Sequence, residues 1–303
     1  MISRGTAITA MATPYRGDAV DAAAFAAAVD RQASGGTDAI AVGTVFGEGT
    51  LLTFEERAML FRTAVEAAAG RMRVFAHVGS NDTMRTVRLG IAANRAGADA
   101  IIVVTPYYNR PGFRGLVRHV EMVAARVGLP IFVEIDPSHT GVDLTAEQIT
   151  ELARIDAVVG IVDGSGEVGR AAAVARHGER PLSCLSGDEP TAAMHNLYGG
   201  AGTVGALGNL DPGMAKRVVE ACTCANGVLV RGLDAHLRPL VRILKDAGAP
   251  ALKYALHVRY GDNPAVRLPL VPLGDRVRAR VLAALDLIAE PVGAESGVLG
   301  VLQ

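Results

Sequence analysis

Lysine is scarce in this sequence. The 303-residue chain has 30 basic residues, but only Lys216, Lys245 and Lys253 are lysines, and all three lie in its last third. A reaction that needs a lysine amine as its nucleophile therefore has three candidates. The excess of arginine over lysine predicts no function by itself.

Net charge and cysteine are also limited. The formal net charge is -1, which argues against nucleic-acid binding. Cys184, Cys222 and Cys224 form no paired framework, which favours a reducing cytoplasm over secretion. Because the C-x-C pair has no partner pair, a zinc site is not expected. We predict neither a metal nor a cofactor.

Long apolar runs are missing as well. No run approaches the roughly 18 apolar residues of a membrane span, and the first residues lack the apolar block of a signal peptide. We therefore expect a cytoplasmic protein without membrane association. Half of the residues are apolar and 20% are charged, which is typical of a soluble globular protein with a large core. The length fits two average domains or one barrel with an appendage.

Short apolar, β-branched segments alternate with alanine-rich segments along the first 225 residues. Eight segments are predicted as strands: Thr6–Ala12, Ala39–Val42, Val74–His77, Ala100–Val104, Ile131–Glu134, Val158–Val162, Ser183–Ser186 and Thr203–Ala206. Helices are predicted between them, including Ala22–Ser34, Phe54–Ala69, Thr83–Ala96, Gly115–Val127 and Ala146–Leu152, with Asp21, Thr53 and Thr145 as capping residues. This α/β pattern predicts a (β/α)8 TIM barrel. A doubly wound sheet is less favoured because no G-x-G-x-x-G follows the first strand.

The strand pattern stops near Gly227. Helices are predicted at Val228–Ala247, Ala249–Tyr260 and Leu273–Ile288, with Gly/Pro-containing breaks between them. We therefore predict a barrel over residues 1–227 and a C-terminal helical domain over 228–303. The last segment, Glu290 to Gln303, is rich in small residues and is predicted to be a mobile tail or a lightly packed arm.

Barrel active sites form at the carboxyl ends of the strands, so the loops that follow the strands are the candidate functional segments. Five of these loops carry distinctive residues: Gly43–Gly49 (GTVFGEG), Thr105–Pro111 (TPYYNRP), Glu134–Gly141 (EIDPSHTG), Gly160–Gly166 (GIVDGSG) and Ser186–Glu189 (SGDE). Together they resemble the dihydrodipicolinate synthase/N-acetylneuraminate lyase superfamily of pyruvate-dependent lyases. The resemblance extends from Gly5 to about Ile288. It implies a (β/α)8 barrel with a C-terminal helical domain, assembled as a homotetramer or dimer.

The chemistry of this superfamily implies a Schiff base between pyruvate and a lysine at the end of the sixth strand. The segment Gly160–Gly166 matches the family's motif on both sides of that position, where this chain has Val162. An isopropyl side chain cannot condense with a ketone. We expect Lys216, Lys245 and Lys253 to lie on solvated helix surfaces, remote from the barrel mouth.

Other positions implied by the resemblance have changed too. Val45 and Phe46 replace a threonine pair that would contact the carboxylate of the oxo acid. Glu134 replaces a tyrosine, and His139 replaces an arginine that binds a dicarboxylate substrate. Tyr108, expected to project into a neighbouring subunit's site, is the one member of the proton-relay trio that is retained.

These replacements leave more than one functional interpretation open. In the first, Glu134 transfers protons, with Tyr108 assisting and His139 orienting an anionic substrate, because a carboxylate among apolar side chains is costly unless it is used or neutralised. The reaction would be a lyase, hydratase, isomerase or aldol-type step on a small oxo acid or related carbonyl compound. The predicted substrate-binding residues are Val45, Phe46, Val162, Gly187, Asp188 and Val204.

Three alternatives remain beside this interpretation. The chain could be an inactive homologue that binds a metabolite or a partner protein, or the family reaction could persist through an unexpected lysine. A metal-dependent variant would use Glu48, Glu134, Asp136, Asp163 and His139. It is disfavoured because strand alternation turns Asp163 away from a pocket into which Val162 points.

Overall fold

The computed structural model describes residues 2–289. Ten strands occur in this part of the chain: β1 (Thr6–Ala10), β2 (Tyr15–Arg16), β3 (Ala19–Val20), β4 (Ala39–Val42), β5 (Arg73–His77), β6 (Ala100–Val104), β7 (Ile131–Ile135), β8 (Val158–Asp163), β9 (Ser183–Ser186) and β10 (Gly202–Gly205). Within the described residues, β2 and β3 form a small antiparallel hairpin, while the other eight strands are all parallel. They close into a barrel in the order β1, β10, β9, β8, β7, β6, β5, β4. The predicted (β/α)8 barrel is confirmed.

The barrel strands are buried on both faces, which is why they read as short apolar runs without a polar side. Alternate residues of neighbouring strands point inward and form one apolar cluster, which includes Ile8, Phe75, Phe132, Val162 and Leu185. The residues between them point outward and pack against the helices. This alternation decides which side chains of a strand can reach the inside of the barrel.

The helices follow the strands as the sequence predicts. They are α1 (Ala22–Ser34), α2 (Phe54–Ala68), α3 (Thr83–Ala96), α4 (Phe113–Val127), α5 (Pro137–Thr140), α6 (Ala146–Leu152), α7 (Arg170–His177), α8 (Glu189–Leu197), α9 (Pro212–Thr223), α10 (Gly227–Tyr260) and α11 (Asp275–Ala289). Asp21, Thr53 and Thr145 cap α1, α2 and α6 through their side chains. At Thr53 and Thr145 a reciprocal capping box closes the first turn.

The C-terminal helices cover one side of the barrel. α10 is interrupted at Gly248, whose φ of 59° and ψ of -142° are not helical, so the break predicted between two helices lies inside one long element. Leu240, Leu244 and Leu252 of α10 share an apolar cluster with Ala206 and Leu207, which follow β10. The predicted tail, 290–303, lies outside the described residues, and the division at residue 227 stays a prediction.

No helix among residues 2–289 is both long enough and apolar enough to cross a bilayer.

Candidate active site

Two ionisable side chains lie directly above an aromatic pair inside the barrel. The Phe75 and Phe132 rings are 5.3 Å apart between centroids. His77 and Glu134 each follow two residues later on the same strands, β5 and β7. Because residues two apart on a strand share a face, both side chains point inward at the carboxyl end of the barrel. The pleat of the two strands thus positions this pair at the mouth.

His77 and Glu134 are hydrogen-bonded to each other. His77 Nε2 and Glu134 Oε2 are 2.6 Å apart, and the two side chains are largely but not completely buried. Among the described residues, the other ring nitrogen of His77 is buried without a hydrogen-bond partner. A carboxylate oriented by an imidazole can accept or return a proton.

The contribution of His77 was missed at the level of sequence. The signal was present, because His77 ends a predicted strand and lies two residues after Phe75, an inward position. The sequence reasoning placed Glu134 among apolar side chains, whereas the structure gives its carboxylate a polar partner. The partner of this acidic residue at the mouth thus comes from another strand.

Val162 lies beside Glu134 on the neighbouring strand. Glu134 pairs with Val162 in the β7–β8 register, and Val162 pairs with Leu185 on β9. Val162 is fully buried within the inward-facing apolar cluster. A Cβ at Gly187 would lie 2.9 Å from Val162 Cγ1, so the chain after β9 approaches Val162 this closely only with glycine. The structure therefore brings Glu134, Val162 and Gly187 together.

Asp188, which follows Gly187, is buried and already engaged by other side chains. Its Oδ2 accepts a hydrogen bond from the Thr191 hydroxyl at 2.6 Å, and its Oδ1 contacts the ammonium group of Lys245. Lys245 lies on α10 and reaches the carboxyl end of β9. The expectation that Lys245 is remote from the barrel mouth is wrong, because α10 packs along α8, which begins directly after Asp188.

Lys253 is also not on a solvated surface. Its side chain is 2% exposed and forms an ion pair with the fully buried Glu48. The ammonium group also donates to the Ala265 carbonyl at 2.8 Å and lies 3.8 Å from the centroid of the Tyr15 ring. Burial lowers the pKa of Lys253 to about 8, and the Glu48 carboxylate opposes that shift. The predicted solvated position of Lys253 is wrong, because α10 folds back over the loop after β4.

Lys216 agrees with the sequence expectation. It is partly exposed and pairs with Asp38, which precedes β4 at the amino end of the barrel strands.

His139 lies in the short helix α5 after β7 and is held by Asp136. His139 Nδ1 and Asp136 Oδ2 are 2.6 Å apart, while the His139 side chain is 60% exposed. This hydrogen bond raises the pKa of His139 above its ordinary value, and the charges of Glu134 and Lys245 also act on the ring. Because α5 follows β7 directly and Lys245 contacts Asp188 after β9, His139 lies at the same carboxyl end of the barrel as Glu134 and Lys245.

We expect Asp136→Asn to lower the pKa of His139 toward 6.5. The raised pKa means that the fold favours the protonated ring. The stability that protonated His139 contributes is fully present below pH 6.5, and it is lost as the pH rises through the pKa that His139 has in the folded protein. NMR titration of the imidazole signals, with His139→Gln to assign the resonance among the seven histidines, measures this. Identical titration curves for wild type and Asp136→Asn would contradict the assignment.

The remaining predicted site residues differ in their placement. Phe46 packs against the inward-facing cluster that contains Val204 and Val162. Val45, by contrast, is 51% exposed. Tyr108 is 90% exposed and has a positive φ of 67° in the loop after β6. Within residues 2–289, no hydrogen bond links Tyr108 to Glu134, so its role in a neighbouring subunit stays a prediction.

The residues considered for a metal site are divided between different ion pairs. Glu48 pairs with Lys253 beneath α10. Asp163 lies 3.2 Å from the Arg170 guanidinium outside the barrel, as strand alternation predicted. Within residues 2–289, no three histidine, cysteine or acidic side chains converge in a way that could hold a metal ion.

The closed parallel barrel, with its ionisable side chains at the carboxyl ends of the strands, defines a (β/α)8-barrel protein with a candidate site at the usual mouth of that fold. The chain belongs to the dihydrodipicolinate synthetase family, whose model matches residues 3–288.

Curated relatives and solved structures agree with this membership. The chain is 38% identical over 281 residues to a 4-hydroxy-tetrahydrodipicolinate synthase of Sphingopyxis alaskensis, covering 92% of this chain and 96% of the relative. It is 38% identical over 287 residues to the synthase of Hyphomonas neptunium, covering 92% and 97%. The dihydrodipicolinate synthase from Aquifex aeolicus superposes with a TM-score of 0.91 at 29% identity, covering 95% of this chain and 99% of that one. The Acinetobacter baumannii enzyme, solved with pyruvate, gives 0.91 at 30% identity with the same coverage.

Proposed function

We propose that this chain is a lyase of the dihydrodipicolinate synthetase family that acts on a small oxo acid without forming a lysine imine at Val162. Proton transfer by Glu134 takes the place of the amine chemistry. The observation that carries the proposal is the Glu134 carboxylate, which lies inside the mouth beside Val162 and is oriented by His77 at 2.6 Å. The membership of the family supports the substrate class.

The elementary step is the removal of a proton from the carbon next to the carbonyl group. Glu134 accepts the proton, the electron pair of the broken C–H bond forms the carbon–carbon double bond, and the carbonyl becomes an enolate. Returning the proton reverses the step. In this proposal protonated His139 holds the anionic part of the substrate, while Tyr108 of another copy assists the proton transfer. The raised pKa of His139 supports its cationic role.

The apolar floor of the mouth limits the size and charge of the substrate. Val162, beside Glu134, and Leu185, on the next strand, are fully buried, and Phe46 packs against the same cluster. A second charged group of the substrate would have no polar partner there, which is costly. We therefore propose a short oxo acid whose anionic end stays near the rim.

Proton exchange combined with borohydride trapping tests this function. Pyruvate incubated with the chain in D2O should exchange its methyl protons, followed by NMR, while sodium borohydride with pyruvate should leave the protein mass unchanged. Val162→Ala adds no ionisable group, and its exchange rate shows how far proton exchange depends on the shape of the pocket. Exchange accompanied by a reduced pyruvate adduct on any lysine would mean that the chain uses an imine and that the proposal is wrong.

We propose in addition that the chain is a cytoplasmic homo-oligomer, a dimer or tetramer. The nearly complete exposure of Tyr108 on a loop at the barrel mouth supports a contact with another copy. Sedimentation of wild type and Tyr108→Ala measures whether that contact contributes to assembly.

A further inference from the structure

Lys245 is a charged group at the mouth to which the proposed reaction gives no role. Its ammonium group contacts Asp188, the residue after Gly187, and Gly187 packs on Val162. The Lys245 side chain is 46% exposed, whereas Asp188 is buried. The ammonium group is therefore anchored on the protein side and open on the solvent side of the rim.

The anchoring leaves donors on Lys245 for a ligand. The Asp188 carboxylate is shared between Lys245 at Oδ1 and the Thr191 hydroxyl at Oδ2. An ammonium group has three N–H donors, and the contact with Asp188 uses one of them. Lys245 is thus suited to binding an anion.

The charged groups around Lys245 determine how a bound ligand is oriented. His139 lies in α5, directly after the β7 strand that carries Glu134, and the Lys245 ammonium group contacts Asp188 directly after β9, so all three groups lie at the carboxyl end of the barrel. A carboxylate is favoured near Lys245 and His139 and is disfavoured near Glu134 or over the apolar Val162. An oxo acid placed this way turns its carbonyl group, and the carbon beyond it, toward Glu134.

We propose that Lys245 binds the carboxylate of the oxo acid at the rim, with Asp188 as the positioning residue that holds the ammonium group in place. This inference rests on the proposed function for the class of ligand. It adds a cation from the C-terminal helices to a site otherwise built by the barrel.

Binding of pyruvate to the full chain, measured by calorimetry, tests the inference. Lys245→Gln should raise Kd about 10- to 100-fold, the loss expected for a hydrogen bond to a charged group. Lys245→Arg keeps the charge and should restore most of the affinity. Lys216→Gln, which removes the partly exposed lysine at the other end of the barrel, is the matched control and should bind as wild type does. Pyruvamide, which lacks the carboxylate, should respond little to Lys245→Gln.

Asp188→Asn tests the positioning role. It should weaken pyruvate binding, and the effect should disappear in a Lys245→Gln background, because Asp188 acts through Lys245. Equal weakening in both backgrounds would show that Asp188 acts only on the fold and would overturn its positioning role.

Three outcomes would overturn the role of Lys245: wild-type affinity in Lys245→Gln, a borohydride-reduced pyruvate adduct on Lys245, or no pyruvate binding by the wild type. The proposed function fails separately. A wild-type chain that binds pyruvate through Lys245 but exchanges no protons would refute the reaction and support the binding site.

Discussion

Glu134→Gln should lower the rate of proton exchange on pyruvate by about 10²- to 10⁴-fold, the range expected for the loss of a general base. Glutamine has nearly the shape of glutamate and still has an oxygen that can hydrogen-bond to His77, but its amide cannot accept the proton. Because the anionic end of the substrate is held elsewhere, the affinity for pyruvate should change much less than the rate. NMR exchange rates together with calorimetric Kd values separate these two effects.

A matched variant shows whether the loss is specific to the site. Glu151 lies on α6 and is exposed, so Glu151→Gln removes the same charge away from the mouth and should exchange at the wild-type rate. The melting temperature of Glu134→Gln should stay close to that of the wild type. If Glu134→Gln exchanges protons as fast as the wild type does, Glu134 is not the base.

Lys253→Met should destabilise the folded chain by about 3–5 kcal/mol, the cost of leaving one member of a buried ion pair without its partner. Glu48 is fully buried, and its second oxygen accepts the backbone N–H of Arg267 at 2.9 Å. Methionine fills much of the space of the lysine stem but gives Glu48 no positive charge. Urea unfolding at pH 7, below the pKa of Lys253 of about 8, measures the difference.

A double variant separates the loss of charge pairing from the loss of packing. Lys253→Met combined with Glu48→Gln removes the unpaired charge while keeping an oxygen for the Arg267 N–H, and it should recover part of the stability. Lys216→Met removes a partly exposed lysine and should cost at most about 1 kcal/mol. A Lys253→Met chain as stable as Lys216→Met would contradict the buried pair as a source of stability.

The fold could be predicted because each barrel strand is encoded locally. Ala39–Val42 and Ala100–Val104 have the predicted bounds, and the capping boxes at Thr53 and Thr145 mark helix starts by residues three positions apart. Alternation along a strand also predicted that Asp163 points away from the pocket if Val162 points in, and the structure places Val162 in the inward-facing cluster and Asp163 beside Arg170 outside it. These features depend on neighbours in the chain.

The partners within the site could not be predicted in the same way. His77 and Glu134 are 57 residues apart, as are Asp188 and Lys245. Their meeting depends on how β5 faces β7 across the barrel and how α10 lies on α8. A lysine on an amphipathic helix is usually solvated, so the sequence favoured the wrong position for Lys253, whose acidic partner belongs to a loop about 200 residues earlier.

The break of α10 at Gly248 separates Lys245 from Lys253. The segment after Gly248 is held over the loop after β4 by the Lys253–Glu48 ion pair, and the segment before Gly248 places the Lys245 ammonium group on the rim. If Lys245 has the proposed role, the angle between the two segments of α10 at Gly248 determines how far the Lys245 ammonium group extends over the mouth of the barrel. A change at Gly248 would then alter substrate preference in this chain, while the strands that build the barrel stay as they are.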